Sequence, residues 1–258
     1  MLRFSANLSM LFLEYSFLER FDKAAQSGFR GVEFMFPYDY DIDVLKEKLQ
    51  TNQLEHTLHN LPAGDWAAGE RGIACIPGRE EEFRDGVAAA VRYAKGLGNK
   101  KINCLVGKTP AGFSAEQIQL TLVENLRYAA NMLAKEDILL LIEPINHFDI
   151  PGFHLTGTQQ ALALIDCVGS NNIKIQYDIY HMQRMEGELT QTMTTWANKI
   201  GHLQIADNPR RGEPGTGEIN YDFIFKFIDK SGYDGWVGCE YKPLTTTEAG
   251  LSWINQYR

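Results

Sequence analysis

Four oxygen-bearing side chains close four apolar runs in the second half of the chain: Glu143 in LLLIEP, Asp178 in KIQYDIYH, Gln204 in GHLQIAD and Glu240 in WVGCEYKP. Consecutive apolar residues read as a strand buried on both faces, and side chains along a strand alternate, so residues two apart share a face. Gln176 then shares a face with Asp178, His202 with Gln204 and Gly238 with Glu240. If the last residue of each run points inward, three carboxylates and one amide oxygen converge. Carboxylates crowded in a dry site repel and raise one another's pKa unless a cation neutralises them. Oxygen donors with no thiolate suit a hard ion, so the expected cofactor is a divalent metal, Mg2+ or Mn2+, held by Glu143, Asp178, Gln204 and Glu240. One acidic residue at a strand end is ordinarily a solvated group or a helix cap. Four on consecutive runs need another explanation.

Histidines add weaker signals. His181 follows Asp178 by three and is expected to orient a substrate oxygen, with a satisfied structural role as its rival. His59, ending the run LEHTLHN, carries the same two readings, whereas His147 and His154 sit in a loop and Met182 and Met185 read as packing.

The elements that must position these groups alternate along the whole chain. Eight apolar runs begin near residues 2, 31, 54, 101, 138, 173, 201 and 235, with helical patterns between them. Ser16 with Glu19, Ser114 with Gln117 and Thr245 with Glu248 have the spacing of capping boxes, and Gly28 supplies a stop. Ile118, Leu122, Leu126, Ala129 and Leu133 form a stripe of helical period that must cover apolar strands. Strands too apolar for a half-solvated antiparallel sheet point to parallel pairing with helical crossovers, and eight of them to a single (β/α)8 TIM barrel over residues 1–258. A doubly wound sheet is the rival, but the Gly-rich turn PGTGE at 214–218 does not directly follow a strand as a phosphate loop would. The connection at 61–79, LPAGDWAAGERGIACIPGR, is long for a compact barrel and reads as a lid or an interface element. Assembly into a homo-oligomer stays open on that ground.

A net charge of −8 opposes binding to a phosphate backbone, so nucleic acid is not an expected partner. No stretch approaches the roughly 18 uninterrupted apolar residues of a membrane span. Four scattered cysteines without a CxxC pair favour a reducing cytoplasm. The apolar start MLRFSANLSMLFLEYSF is broken by Arg3, Asn7 and Glu14 and reads as a strand and helix of the barrel.

At this point the segments LRFSANLSMLF, GVEFMFPYDYD, LIEPINHFDIPGFHL, IQYDIYHMQRMEG, HLQIADNPRRGEPGTGEINY and GCEYKP together resemble the hydroxypyruvate isomerase family, within the xylose-isomerase-like TIM barrels. The resemblance runs nearly end to end. It implies a (β/α)8 barrel and an isomerase of the aldose–ketose type interconverting hydroxypyruvate with tartronate semialdehyde; a related group, 2-oxo-tetronate isomerase, acts on a four-carbon acid and shares much of the pattern. It further implies that Glu143 and Glu240 are the acid/base pair and that Glu143, Asp178, Gln204 and Glu240 are the metal positions. Wider relatives often carry His where Gln204 stands. An oxo-acid substrate needs a cationic clamp for its carboxylate, for which Arg210, Arg211 and Lys242 are nearest in sequence. An apurinic endonuclease on the same barrel and a non-catalytic sugar-acid binder are the rival functions. The first would need a DNA groove and more metal-binding histidines than six His in all comfortably supply.

Overall fold

A computed structural model describes residues 1–257. Eight parallel strands close into one barrel in sequence order: β1 (Arg3–Asn7), β2 (Gly31–Glu33), β3 (Glu55–Asn60), β4 (Lys101–Cys104), β5 (Leu139–Ile142), β6 (Ile173–Asp178), β7 (Ile200–Ile205) and β8 (Trp236–Cys239). All eight runs expected to be strands are strands, although β2 stops at Glu33, immediately before the apolar FMF. Helices α1 (Glu19–Gln26), α2 (Ile42–Thr51), α3 (Glu80–Leu97), α4 (Ala115–Ala134), α5 (Thr158–Val168), α6 (Ile179–Met185), α7 (Leu189–Thr195) and α8 (Tyr221–Lys230) fill the connections. The predicted stripe of α4 is buried, which removes its apolar side chains from water against the strands. Among the described residues no helix is long and apolar enough to cross a membrane.

The helix starts separate by their local chemistry. Ser114 forms the full reciprocal box, accepting from the Gln117 amide while Gln117 Oε1 accepts from its own. At Ser16 only half of the box exists: Glu19 accepts from the Ser16 amide at 3.0 Å, but α1 begins at Glu19 and Ser16 caps no helix amide. The expected C-terminal α-helix is a 3-10 helix, Ala249–Gln256, and Thr246 rather than Thr245 accepts the amide of Ala249. PGTGE is a cradle, though not for phosphate. The amides of Gly215, Gly217 and Ile219 all donate to the Asp207 carboxylate, and Gly217 is required because a Cβ there would lie 2.0 Å from the Asn208 carbonyl oxygen.

The barrel's interior is polar where most such barrels carry branched apolar layers. Ser5, Asn7, Glu33, Gln176, His202 and Gln204 are all buried. Gly238 makes room for this cluster, since a Cβ on it would lie 2.5 Å from the Glu33 carboxylate oxygens.

Candidate active site

Strand register brings the polar run ends to one mouth. Asp178 pairs with Gln204, and Gln204 with Gly238, so alternation turns Asp178, Gln204 and Glu240 to the same inner face. Glu143 directly follows β5, where the proline behind it ends the ladder. All four side chains are buried.

Each carboxylate has a different environment. Glu240 Oε1 accepts from Arg211 Nη2 at 2.6 Å and Oε2 from Asn7 Nδ2 at 2.9 Å and Gln204 Nε2 at 2.7 Å. Glu143 Oε2 accepts from Asn103 Nδ2 at 3.0 Å, and Asp178 Oδ1 from the Tyr180 amide at 2.8 Å. Glu143 Oε1 and Asp178 Oδ2, by contrast, have no hydrogen-bond partner among the described residues. Burial raises all three pKa values. Repulsion by Glu240 and Asp178 adds to the rise at Glu143, whereas Arg211 opposes it at Glu240 and Asp178. Asp178 is pushed up to about 6 and Glu143 well above the carboxylate range.

His181 Nε2 lies 3.5 Å from Asp178 Oδ2 and 3.9 Å from Glu143 Oε1, and donor atoms of these three residues fall within 4.8 Å of one another. Its tautomer follows from the other nitrogen. Nδ1 faces Asn146 Nδ2 at 2.6 Å, and Asn146 cannot turn round because its Oδ1 accepts from the Asp149 amide at 2.9 Å. Nδ1 is therefore an acceptor and Nε2 carries the proton. Burial lowers the His181 pKa, so the ring is a neutral donor aimed between two carboxylates at distances too long for good hydrogen bonds. Two buried carboxylate oxygens without hydrogen bonds, close to one another, fit a divalent cation, which would relieve the cost of burying them.

Gln204 departs from the simplest ligand picture. Its Oε1 accepts from Gln176 Nε2 at 2.7 Å while its Nε2 donates to both Glu33 and Glu240. To offer oxygen to a cation the amide must turn over, and Gln176 must turn with it so that its free Oε1 accepts the Gln204 N–H.

The cavity above these groups has a volume of about 470 Å3 and is lined by Glu143, Glu240 and His181 together with Arg210, Arg211 and Lys242. Arg211 is committed to Glu240, while Arg210 and Lys242 are exposed at the rim. His59 is not brought here. Asn60 of β3 takes the cavity side, so His59 turns outward to Asn99 Nδ2 at 3.1 Å and stacks on His56. Burial lowers its pKa to about 4, which makes it a neutral packing residue. Sequence reasoning missed Glu33, Asn7, Asn103 and Arg71. Glu33 had a signal, an acid inside the apolar run GVEFMF; Asn7, the last residue of β1, and Asn103, next to last in β4, had none.

Residues 21–257 match the family model described as xylose isomerase-like TIM barrel. The chain belongs to that family. Among curated members it is 84% identical to a hydroxypyruvate isomerase of Escherichia coli, with the whole of both chains covered. A 2-oxo-tetronate isomerase of Cupriavidus necator is 46% identical over 99% of this chain and 98% of its own. Of solved structures, a Brucella melitensis protein described as an AP endonuclease of family 2 superposes with a TM-score of 0.97 at 46% identity, covering both chains completely. Full-length likeness to curated isomerases makes this xylose isomerase-like barrel an isomerase, an enzyme with a small-molecule substrate.

Proposed function

We propose that the chain interconverts hydroxypyruvate and tartronate semialdehyde by proton transfer through an enediolate, with Glu143 and Glu240 as the acid/base pair. The observation that carries this reading is two buried carboxylates of raised pKa facing one small cavity from β5 and β8. A base must take a proton from C3 and an acid must return one to C2, and carboxyl groups whose pKa burial raises hold and pass a proton more readily than ordinary carboxylates. The substrate class rests on the 84% identity to the hydroxypyruvate isomerase, against 46% to the 2-oxo-tetronate isomerase. An acidic chain of net charge −8 weighs against the endonuclease description of the Brucella protein as a guide here.

Glu143, Asp178, Gln204 and Glu240 would hold Mg2+ or Mn2+, with His181 remaining a donor. Bound there, the cation would acidify the substrate C–H and take up the enediolate's charge. Asn103 keeps Glu143 aimed at the cavity by occupying its other oxygen, whereas Arg211 and Asn7 fix Glu240 by holding one oxygen each. His181 offers its Nε2 proton to a substrate oxygen, which suits an exchange of roles between two adjacent oxygens.

The test is turnover followed by NMR on hydroxypyruvate and 2-oxo-tetronate side by side, with Mg2+ or Mn2+ added. A higher kcat/KM on hydroxypyruvate is expected. Preference for the four-carbon acid would move the reading to that substrate, and turnover of neither would remove it.

A further inference from the structure

Among the described residues, Arg71 is a cation of the cavity wall that has no carboxylate partner and that the fold nevertheless holds in place. It lies in the long 61–79 connection, lining the same cavity as Glu143 and Glu240. Its guanidinium carbon sits 3.9 Å from the centroid of the Trp66 ring, and that ring makes an edge contact with Phe36 at 5.1 Å. Nη1 donates to two main-chain carbonyls, of Trp66 at 3.1 Å and Glu70 at 2.6 Å. The neighbouring acid is taken elsewhere: Glu70 pairs with Arg79 and accepts from the Asp65 amide. Among the described residues Arg71 forms no ion pair, so its Nη2 and Nε edge is left for a ligand.

The loop is fastened where Arg71 needs it. Gly72 donates to the Ala63 carbonyl at 2.9 Å and Cys75 to that of Val106 at 2.9 Å, while Lys108 reaches the Gly69 carbonyl at 2.9 Å. Gly72 has φ +109°, and a Cβ on it would lie 1.9 Å from the Leu105 carbonyl oxygen, so only glycine lets the chain pass that close to the segment after β4. A guanidinium already seated loses little side-chain freedom when it binds an anion, unlike the exposed Arg210 and Lys242. Its planar fork also matches a carboxylate with two parallel donors.

We infer that Arg71, seated on Trp66, is the anchor that binds the substrate's carboxylate and makes the site select small oxo acids over uncharged sugars of the same length. This rests on the proposed action on a three-carbon oxo acid, and the test separates the two. Glycerate keeps the carbon chain and carboxylate but cannot isomerise; glycerol has the same three carbons with an uncharged hydroxymethyl group in place of the carboxylate. Binding of each to the metal-loaded protein is measured by calorimetry, alongside hydroxypyruvate kinetics. Wild type should bind glycerate in clear preference to glycerol. Arg71→Ala should weaken glycerate by about 10- to 100-fold, the range for losing a charge-assisted hydrogen bond, and raise KM more than it lowers kcat. Arg71→Lys, which keeps the charge but not the fork, should fall between, and free guanidinium ion should restore part of the affinity of Arg71→Ala. Trp66→Ala should cost about 2- to 5-fold, as for an exposed cation–π contact. Melting temperatures of all variants separate loss of fold from loss of binding, and Arg71→Lys keeps the question answerable if the alanine variant unfolds. Unchanged glycerate binding in Arg71→Ala, or the same loss appearing instead in Arg210→Ala or Lys242→Ala, overturns the assignment, as does a wild type that does not distinguish glycerate from glycerol. A wild type that binds glycerate through Arg71 yet does not turn over hydroxypyruvate upholds the anchor and removes only the proposed reaction.

Discussion

The two sides of the barrel mouth treat buried carboxylates in opposite ways. On the side of β1, β2, β7 and β8, every oxygen of Glu33 and Glu240 has a donor: Asn7 and Gln204 bridge the two residues, His202 closes on Glu33 at 2.9 Å and Arg211 on Glu240 at 2.6 Å. On the side of β5 and β6, Glu143 and Asp178 each have one oxygen hydrogen-bonded and one without a hydrogen bond, with the Arg211 Nη2 cation 3.6 Å from Asp178 Oδ2. A buried oxygen without a donor costs free energy comparable to a lost hydrogen bond, and more when charged, so the second side is built at the expense of stability. The carboxylates of the first wall are satisfied by protein alone, whereas those of the second would be satisfied by a cation. That division assigns one wall to structure and the other to chemistry, with Glu240 reaching from the first into the second.

The most severe way to break this comparison is to remove divalent metal. Exhaustive chelation should abolish turnover, and restoring Mg2+ or Mn2+ should bring it back. Full activity in rigorously metal-free protein would mean that the bare oxygens serve something other than a cation. Next in size is the loss of either acid/base group. Glu143→Gln and Glu240→Gln should each lower kcat by at least about 10², the lower bound for a positioned acid or base, and wild-type turnover in D2O should place deuterium on product C2. Metal content measured in each variant separates a lost ligand from a lost proton carrier. Retention of the substrate hydrogen at partial conversion would replace proton transfer by a hydride shift.

Gln204 sharpens the comparison because it stands between the walls. Gln204→Leu should weaken metal binding by about 10- to 100-fold, the usual cost of losing a group that orients or completes a site, and should leave Asn7 as the remaining bridge between Glu33 and Glu240. Gln204→His, the residue common in wider relatives, should recover most of the metal affinity. Equal metal affinity in wild type and Gln204→Leu would confine Gln204 to the structural wall, where its present hydrogen bonds place it.

How much of this was legible beforehand follows the same division. The strands were readable because parallel barrel strands are continuous apolar runs, and Glu143, Asp178, Gln204 and Glu240 stood out because each ends such a run. Glu33 and His202 form a pair 169 positions apart in sequence, and nothing local announces a contact that only barrel closure creates. His59 misled because alternation along a buried strand does not say which face looks inward, and β3 gives the cavity to Asn60. Arg71 was hidden for a different reason. Its place depends on a loop path set by close main-chain approach at Gly72, which composition does not encode. The failed caps at Ser16 and Thr245 show the limit of short motifs, whose spacing permits a helix start without requiring one.

The smallest expected effect tests the bare wall most directly, through the pH dependence of stability in metal-free protein. Burial raises the folded-state pKa of Asp178 to about 6, and those of Glu143 and Glu240 are raised as well, whereas in an unfolded chain such groups titrate at about 4. Between the unfolded and folded values the folded protein holds protons that the unfolded chain has released. Stability from these groups is therefore complete below about pH 4 and declines as pH rises through 6 and beyond. A tenfold difference in proton affinity between the folded and unfolded chain is worth about 1.4 kcal/mol, and about 1 kcal/mol moves the melting temperature of a chain this size by about 2–4 °C. The metal-free melting temperature should thus fall by several degrees from pH 5 to pH 8. Metal-loaded protein should show a flatter or reversed slope, because a cation binds the deprotonated carboxylates. Glu143→Gln should remove part of the metal-free slope and melt higher than wild type at pH 8, since the amide is neutral at every pH and has no ionised form for burial to penalise. A metal-free wild type that grows more stable across this window would show Glu143 and Asp178 to be well satisfied as carboxylates by the protein alone, and the contrast between the two walls would collapse.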